Sequence, residues 1–229
     1  MKSNTSDAPE AAPAALGRWA RRSARRAGAS RAARHDDTVR RLVEASLELI
    51  RETGALEPRV SEILRRAGLS NQAFYRHFES KDELLLCVLD EGVRMLGSYL
   101  DHRLDRAEDP AEQVRHWLEG ILEQGLQAEA AAATRPFACS RARLSELFPD
   151  EVAASEARLI GPLRERLEKA ARAGWPGHPQ RDADTLYTLA MGWLQRSLTQ
   201  PEPPTRDDAT HLVRFALAGL ALATDGGSD

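Results

Sequence analysis

Seven side chains with polar or contact chemistry fall within twelve positions: Ser70, Asn71, Gln72, Ala73, Tyr75, His77 and Lys81. An Asn or Gln amide pairs bidentately with the edge of adenine, and an Ala methyl packs on the thymine methyl. A Ser just before a helix caps it and turns the N-terminal amides outward, where they and the helix dipole favour phosphate. Lys81 starts a second helix, a position where a cation is poorly placed unless an anion lies nearby. Together these are groups for gripping a polyanion and reading base edges. Each also has a plain structural use: Tyr75 as a core aromatic, His77 as a cap or packing residue, Lys81 as a solvated helix start.

The flanking elements must position these groups. Val60, Ile63, Leu64 and Ala67 recur at helical spacing after Pro58 and predict a short helix that Gly68 ends. Ser70 then opens a helix over 71–77, whose Phe74 and Phe78 point inward while Asn71, Gln72, Ala73 and Tyr75 lie toward its exposed N-terminal side. Two short helices joined by a Gly-containing turn form a helix-turn-helix, the second helix being the one that enters the major groove. Upstream, Val39, Leu42, Val43, Ser46, Leu47 and Ile50 give one apolar helix face, with Asp36 or Asp37 expected as N-cap and Gly54 as the stop. Downstream, Ser80-Lys81-Asp82-Glu83 reads as a capping box opening a helix from Lys81 to near Arg106.

Further helices are expected at 110–133, 137–147, 149–173, 180–199 and 205–223, separated by Pro and Gly at Pro136, Pro149, Gly174–Gly177 and Pro201–Pro204. Pro162 predicts a kink or break within 149–173. No stretch alternates as a strand would, so the fold class is all-α.

Charge is divided along the chain. Residues 1–81 carry 16 Lys and Arg against 10 Asp and Glu; residues 82–229 carry the other 16 against 25. A basic end on an acidic body points that end at a polyanion. Residues 1–36 are rich in Ala, Pro and Ser, too poor in large aliphatics to fold, and basic through Arg18, Arg21, Arg22, Arg25, Arg26, Arg31 and Arg34. They are expected to form an unstructured DNA-contacting arm, or else a solubilising tail; the apolar core of a secretory signal is missing. No apolar run is long enough to cross a membrane. Cys87 and Cys139 stand alone without His partners, which argues against a disulfide framework or a zinc site and suggests a reducing cytoplasm. Six scattered His and no P-loop, GxGxxG or nucleophile elbow give no basis for an enzyme, a metal or a cofactor.

The stretch 37–85 resembles the DNA-binding domain of the TetR family of transcriptional regulators. The matching residues are Ile63, Ala67-Gly68-Leu69-Ser70, Tyr75, His77-Phe78, Ser80-Lys81 and Leu84-Leu85. The resemblance implies phosphate contacts from Tyr75, His77 and Lys81, and base contacts from Asn71, Gln72 and Ala73. Two positions depart from it: Arg59 stands where the family often has a capping Thr, and Leu64 replaces a small Ala. Arg59 can still reach a phosphate.

The resemblance also implies the layout: a basic arm over 1–36, a helix-turn-helix domain over 37–82, a helical effector-binding and dimerisation domain over 83–224, and a short tail over 225–229. The expected protein is a homodimeric bacterial regulator, a repressor released from a palindromic operator by a small molecule. Two helices carrying Leu186, Leu189, Ala190, Trp193, Leu194 and Leu198, then Leu212, Phe215, Ala216, Gly219, Leu220 and Leu222, would pair into a four-helix dimer interface or else fill the protomer's own core. Ala190, Gly192, Ala216, Ala218 and Gly219 would allow close approach there. Trp117, Ile121, Phe137, Phe148, Leu163, Trp175 and Tyr187 are the candidate effector-pocket residues. Arg135, Arg141 and Arg143 form either an anion-binding group or a salt-bridged face.

Overall fold

A computed structural model describes residues 29–53 and 58–222; for 29–36 and 221–222 it describes the backbone alone. Residues 1–28, 54–57 and 223–229, which hold most of the basic arm, the expected Gly54 stop and the C-terminal tail, lie outside the described residues. Among the described residues nine helices follow in order: α1 (Ala29–Thr53), α2 (Val60–Ala67), α3 (Asn71–His77), α4 (Lys81–Leu104), α5 (Pro110–Leu126), α6 (Ala128–Leu147), α7 (Pro149–Arg172), α8 (Pro179–Thr199) and α9 (Arg206–Leu222). No strand occurs among the described residues.

Most starts follow local chemistry. Asp109 accepts the Glu112 amide at 3.0 Å ahead of Pro110, and Pro149 and Pro179 likewise open α7 and α8. Proline suits these positions because its missing N–H has no intrahelical partner there and its φ is already helical.

Four expectations need correction. α1 begins at Ala29, so Asp36 and Asp37 are interior to it; Asp37 pairs with Arg40 one turn on instead of capping. The break expected at Pro136 lies at Gln127, whose extended backbone (φ −88°, ψ 126°) ends α5 and starts α6. Pro136 sits buried inside α6, and the Ala-rich run before it (130–133) is strongly helical and carries the helix up to it. Of the kink or break expected at Pro162, the break does not occur: α7 runs through it. The Ser80 box is offset: Ser80 Oγ accepts the Glu83 amide at 3.1 Å, but the Glu83 carboxylate accepts the amide of Glu79, not of Ser80.

Two cores result. The first gathers Val39, Leu42, Val43 and Ile50 of α1, Ile63, Leu64 and Ala67 of α2, Phe74, Phe78, and Leu84, Cys87 and Val88 of α4. The second, larger core is built from α4 to α9 around Trp117, Leu118, Ile121, Leu163, Ala183 and Ala190, all fully enclosed. α4 supplies residues to both, Val93, Leu100 and Leu104 going to the second. Ser46, the polar member of the α1 face, gives its hydroxyl to the Leu42 carbonyl at 2.7 Å and so enters the core satisfied. α5 and α8 meet closely at Gly125, where a β-carbon would lie 2.6 Å from Ser197 Oγ; the Ser197 hydroxyl donates to the Gly125 carbonyl at 3.1 Å.

Trp117 has no exposed surface, and its indole N–H donates to the Leu159 carbonyl at 3.0 Å, tying α5 to α7. Replacing it with Ala leaves a large cavity and removes the hydrogen bond between the two helices. Trp117→Ala is expected to lower unfolding free energy by about 3–5 kcal/mol, read from urea denaturation. A loss below about 1 kcal/mol would show that the core collapses around the site.

Candidate nucleic-acid interface and body cavity

α2 and α3 are too short to hold themselves, so their placement comes from the first core and from α1. Gly68 sits in the left-handed region (φ 63°, ψ 38°) and its amide closes on the Arg65 and Leu64 carbonyls. Arg41 of α1 donates a guanidinium N–H to the Ala67 carbonyl, so α1 holds the turn directly. Arg66 of α2 forks onto both oxygens of Glu52 of α1, at 2.6 and 2.5 Å. That hydrogen-bonded pair holds the Glu52 carboxyl below its usual range. Arg59 has no acceptor with which to cap α2. Instead the Glu62 carboxylate accepts the Arg59 amide at 3.3 Å, which supplies part of the missing cap. Leu64 is accommodated in the buried face of α2.

Ser70 caps α3 by accepting the Ala73 amide at 3.2 Å. Phe74 and Phe78 stack at 5.5 Å inside the core. The opposite side of α3 is therefore free: Asn71 and Gln72 are exposed, Ala73 is half-buried, and Tyr75 is 68% exposed. Tyr75 meets Phe74 edge-on at 5.2 Å, which steadies a ring that would otherwise swing in solvent. His77 and Lys81 are half-buried beside it, and Arg59 and Ser70 are exposed. Arg65 and Arg76, both exposed on α2 and α3, add positive charge that the motif reading passed over, although both lie inside the motif itself.

The body contains a cavity of about 830 Å³ between α4, α5, α6, α7 and α8. Of the seven residues expected to line it, Ile121, Phe137 and Tyr187 are in its wall. The other four lie elsewhere. Trp117 and Leu163 are spent in the core, Phe148 packs with Leu85, Leu86 and Leu144 at the start of α7, and Trp175 covers the core from the loop before α8. The exposed residues Arg51 and Glu52 of α1, Met95 and Tyr99 of α4, Gln127, and Glu129 of α6 frame its open side. Its wall is mostly apolar, with Gln124, Thr134, Ser155 and Gln195 as neutral polar members and a group of Arg141, Glu156 and Tyr187 in which Arg141 donates to Glu156 at 2.6 Å. Burial and the adjacent Glu156 carboxylate push the Tyr187 phenol above its ordinary value, so it stays protonated. Arg143 pairs with Asp82 at 2.7 Å, so two of the three arginines weighed as an anion site are salt-bridged.

Cys87 is buried in the first core and Cys139 is exposed; both are free thiols, and burial pushes the Cys87 thiol up. Among the described residues no cluster of His, Cys, Asp and Glu could hold a metal ion, and no helix is long and apolar enough to cross a membrane.

Residues 42–88 match the family model of bacterial regulatory proteins, tetR family. This helix-turn-helix domain belongs to the tetR family. Over 75 residues the chain is 32% identical to the HTH-type transcriptional regulator BetI of Brucella anthropi, a match covering 33% of this chain and 39% of that protein. The chain thus spans about two fifths of the length of the curated relatives it matches. The whole fold is similar to that of a TetR family transcription regulator from Marinobacter aquaeolei, with TM-score 0.53, 20% identity, and 81% and 96% of the two chains covered. It is also similar to RolR, solved with resorcinol, with TM-score 0.61, 18% identity, and 85% and 95% covered. The body therefore shares the architecture of these two proteins, while its sequence differs widely from theirs.

Gly68→Ala tests the turn. A left-handed residue with a β-carbon costs roughly 1–2 kcal/mol, and here that carbon would sit 3.2 Å from Arg41 Nη2, pressing on the group that holds the Ala67 carbonyl. Thermal unfolding is expected to show that loss or more; an unchanged midpoint would mean that the turn relaxes freely.

Proposed function

We propose that this chain is a cytoplasmic, homodimeric DNA-binding transcriptional regulator, acting as a repressor that leaves a palindromic operator when a small molecule enters the body cavity. The observation that carries this reading is α3. A tetR-type reading helix keeps its two Phe in the core and presents Asn71, Gln72, Ala73 and Tyr75 outward from a capped N-terminus. Asn71 and Gln72 can take adenine edges, each good bidentate pair discriminating by about 1–3 kcal/mol. Arg59, Ser70, Tyr75, His77 and Lys81 can hold the flanking phosphates, which fix register without reading sequence.

Reading two half-sites requires a two-fold dimer. α9 supports one through Phe215, 63% exposed, beside exposed Ala218 and Gly219, with Gly192 exposed on α8. Ala190 and Ala216 are not available for that contact, because both are buried within the protomer. The cavity supports an effector because α1 stands in its wall. Leu47, Arg51 and Glu52 line it, and Glu52 is the residue that holds Arg66 of α2. A molecule seated there touches the helix on which the reading head is mounted. RolR, whose fold is similar, was solved with resorcinol as its ligand, which supports a small aromatic molecule as a candidate occupant here.

Two experiments test the reading. Selection of binding sites from random DNA at about 150 mM salt is expected to recover a palindrome, and Tyr75→Ala, which removes an exposed ring and disturbs no core, is expected to lose it while melting normally. No enrichment with folded protein would overturn operator reading. Deleting residues 1–28 removes five arginines, Arg18, Arg21, Arg22, Arg25 and Arg26. If the arm contacts DNA, the dependence of log affinity on log salt becomes shallower by roughly 0.9 per lost phosphate contact; an unchanged slope assigns the arm to solubility.

A further inference from the structure

We infer that the body cavity selects an uncharged apolar molecule bearing a hydroxyl group, an alcohol or phenol, and that Tyr187, Glu156 and Arg141 are the groups that recognise it. The inference rests on the reading of this cavity as the effector site and deepens it by naming the ligand's chemistry.

The wall decides the charge. Its ionisable members are Arg51 and Arg141 against Glu52, Glu129 and Glu156. Glu52 is committed to Arg66, and Arg141 to Glu156. A carboxylate or phosphate entering the interior would meet an arginine already neutralised and the carboxylate that neutralises it. A cation would meet a glutamate already paired. Neither sign of charge gains enough to offset the loss of its own hydration. Much of the remaining wall is aliphatic, including Val93, Leu159, Leu194 and Leu198, and the volume lies in the range that holds drug-sized molecules.

The polar group decides what the ligand must carry. Burial and the neighbouring Glu156 carboxylate keep Tyr187 protonated; its hydroxyl can donate toward that carboxylate while the phenolic oxygen accepts. Arg141 spends Nη2 on Glu156 and keeps further N–H donors. Gln195, also in the wall, commits one of its amide N–H groups to the Ala138 carbonyl at 3.2 Å. A ligand hydroxyl satisfies both sides at once, donating to Tyr187 and accepting from Arg141. A hydrocarbon satisfies neither, and would bury a polar group for nothing.

The test uses the full-length protein and three probes of one shape: naphthol, naphthalene and naphthoate, with binding measured by calorimetry at pH 7. Naphthol is expected to bind roughly three- to tenfold more tightly than naphthalene, the difference made by one buried hydrogen bond. Tyr187→Phe, confirmed folded by its melting midpoint, is expected to reduce that preference, leaving only the Arg141 contact, while naphthalene is unchanged. Glu156→Gln frees the Arg141 charge and is expected to raise the affinity for naphthoate, which binds the unaltered protein more weakly than naphthol does. Equal binding of naphthol and naphthalene, a preference for naphthoate in the unaltered protein, or no binding of either neutral probe would overturn the inference. So would a naphthol preference that Tyr187→Phe leaves undiminished. Release of the selected operator is scored alongside. Naphthol that binds with the expected preference but leaves the operator bound upholds the cavity's chemistry and removes only its role as effector site.

Discussion

A helix of seven residues does not persist alone in water, because the cost of fixing its first turn is not recovered within two turns. α3 is such a helix, and everything proposed for the N-terminal domain depends on its being held still. Phe74 and Phe78 do most of that holding, each almost without exposed surface, in a core shared by α1, α2 and α4. Because both aromatics lie on one side, the other side cannot turn inward, and Asn71, Gln72 and Tyr75 are fixed outward by exclusion. The polar clamps are secondary: Arg41 on the Ala67 carbonyl and Arg66 on Glu52 set the angle of the motif against α1 without supplying much of its stability.

Rigidity inside the head and adjustability at its mount have different consequences. A close-packed core of aliphatic and aromatic side chains resists deformation. An exposed guanidinium–carboxylate pair exchanges partners readily. α1 and α4 both leave that core and enter the cavity wall, α1 through Leu47, Arg51 and Glu52 and α4 through Leu89 to Tyr99. The two helices that enclose the reading head are therefore the two that a cavity occupant touches on its head-side wall.

Much of this was legible in the sequence, and what was not has a common cause. The helix-turn-helix, its Gly68 turn, the Ser70 cap and the inward Phe pair are local features, set by residues within a few positions of one another, and local chemistry determines them. Helix ends were legible where a cap or an N-terminal proline marks them, as at Pro110, Pro149 and Pro179. They were misplaced at Pro136, where a favourable Ala run carries the helix into the proline. The cavity was the least legible part. An apolar stripe shows which side of a helix is buried, but not whether another side chain or empty space faces it. Trp117 and Leu163 read as well as Ile121 for pocket lining, yet both are consumed by packing in the second core. The Arg141–Glu156–Tyr187 group joins three helices across 46 residues, and no spacing rule reaches that far.

On the regulator reading, magnitudes constrain how a ligand can act. A hundredfold loss of operator affinity requires about 2.7 kcal/mol of difference between the ligand's binding to the two conformations. One hydrogen bond from Tyr187 or Arg141, worth roughly 0.5–1.5 kcal/mol net, cannot supply that alone. The remainder has to come from apolar area that the ligand covers in one arrangement of α1 and α4 and not in the other, at about 25 cal/mol for each Å². Roughly 50–100 Å² suffices, little more than a few side chains such as Leu47, Leu89 and Leu96 changing their contact with the occupant. The polar group then governs which molecule is admitted, and the apolar wall shared with α1 and α4 supplies the work that turns the head.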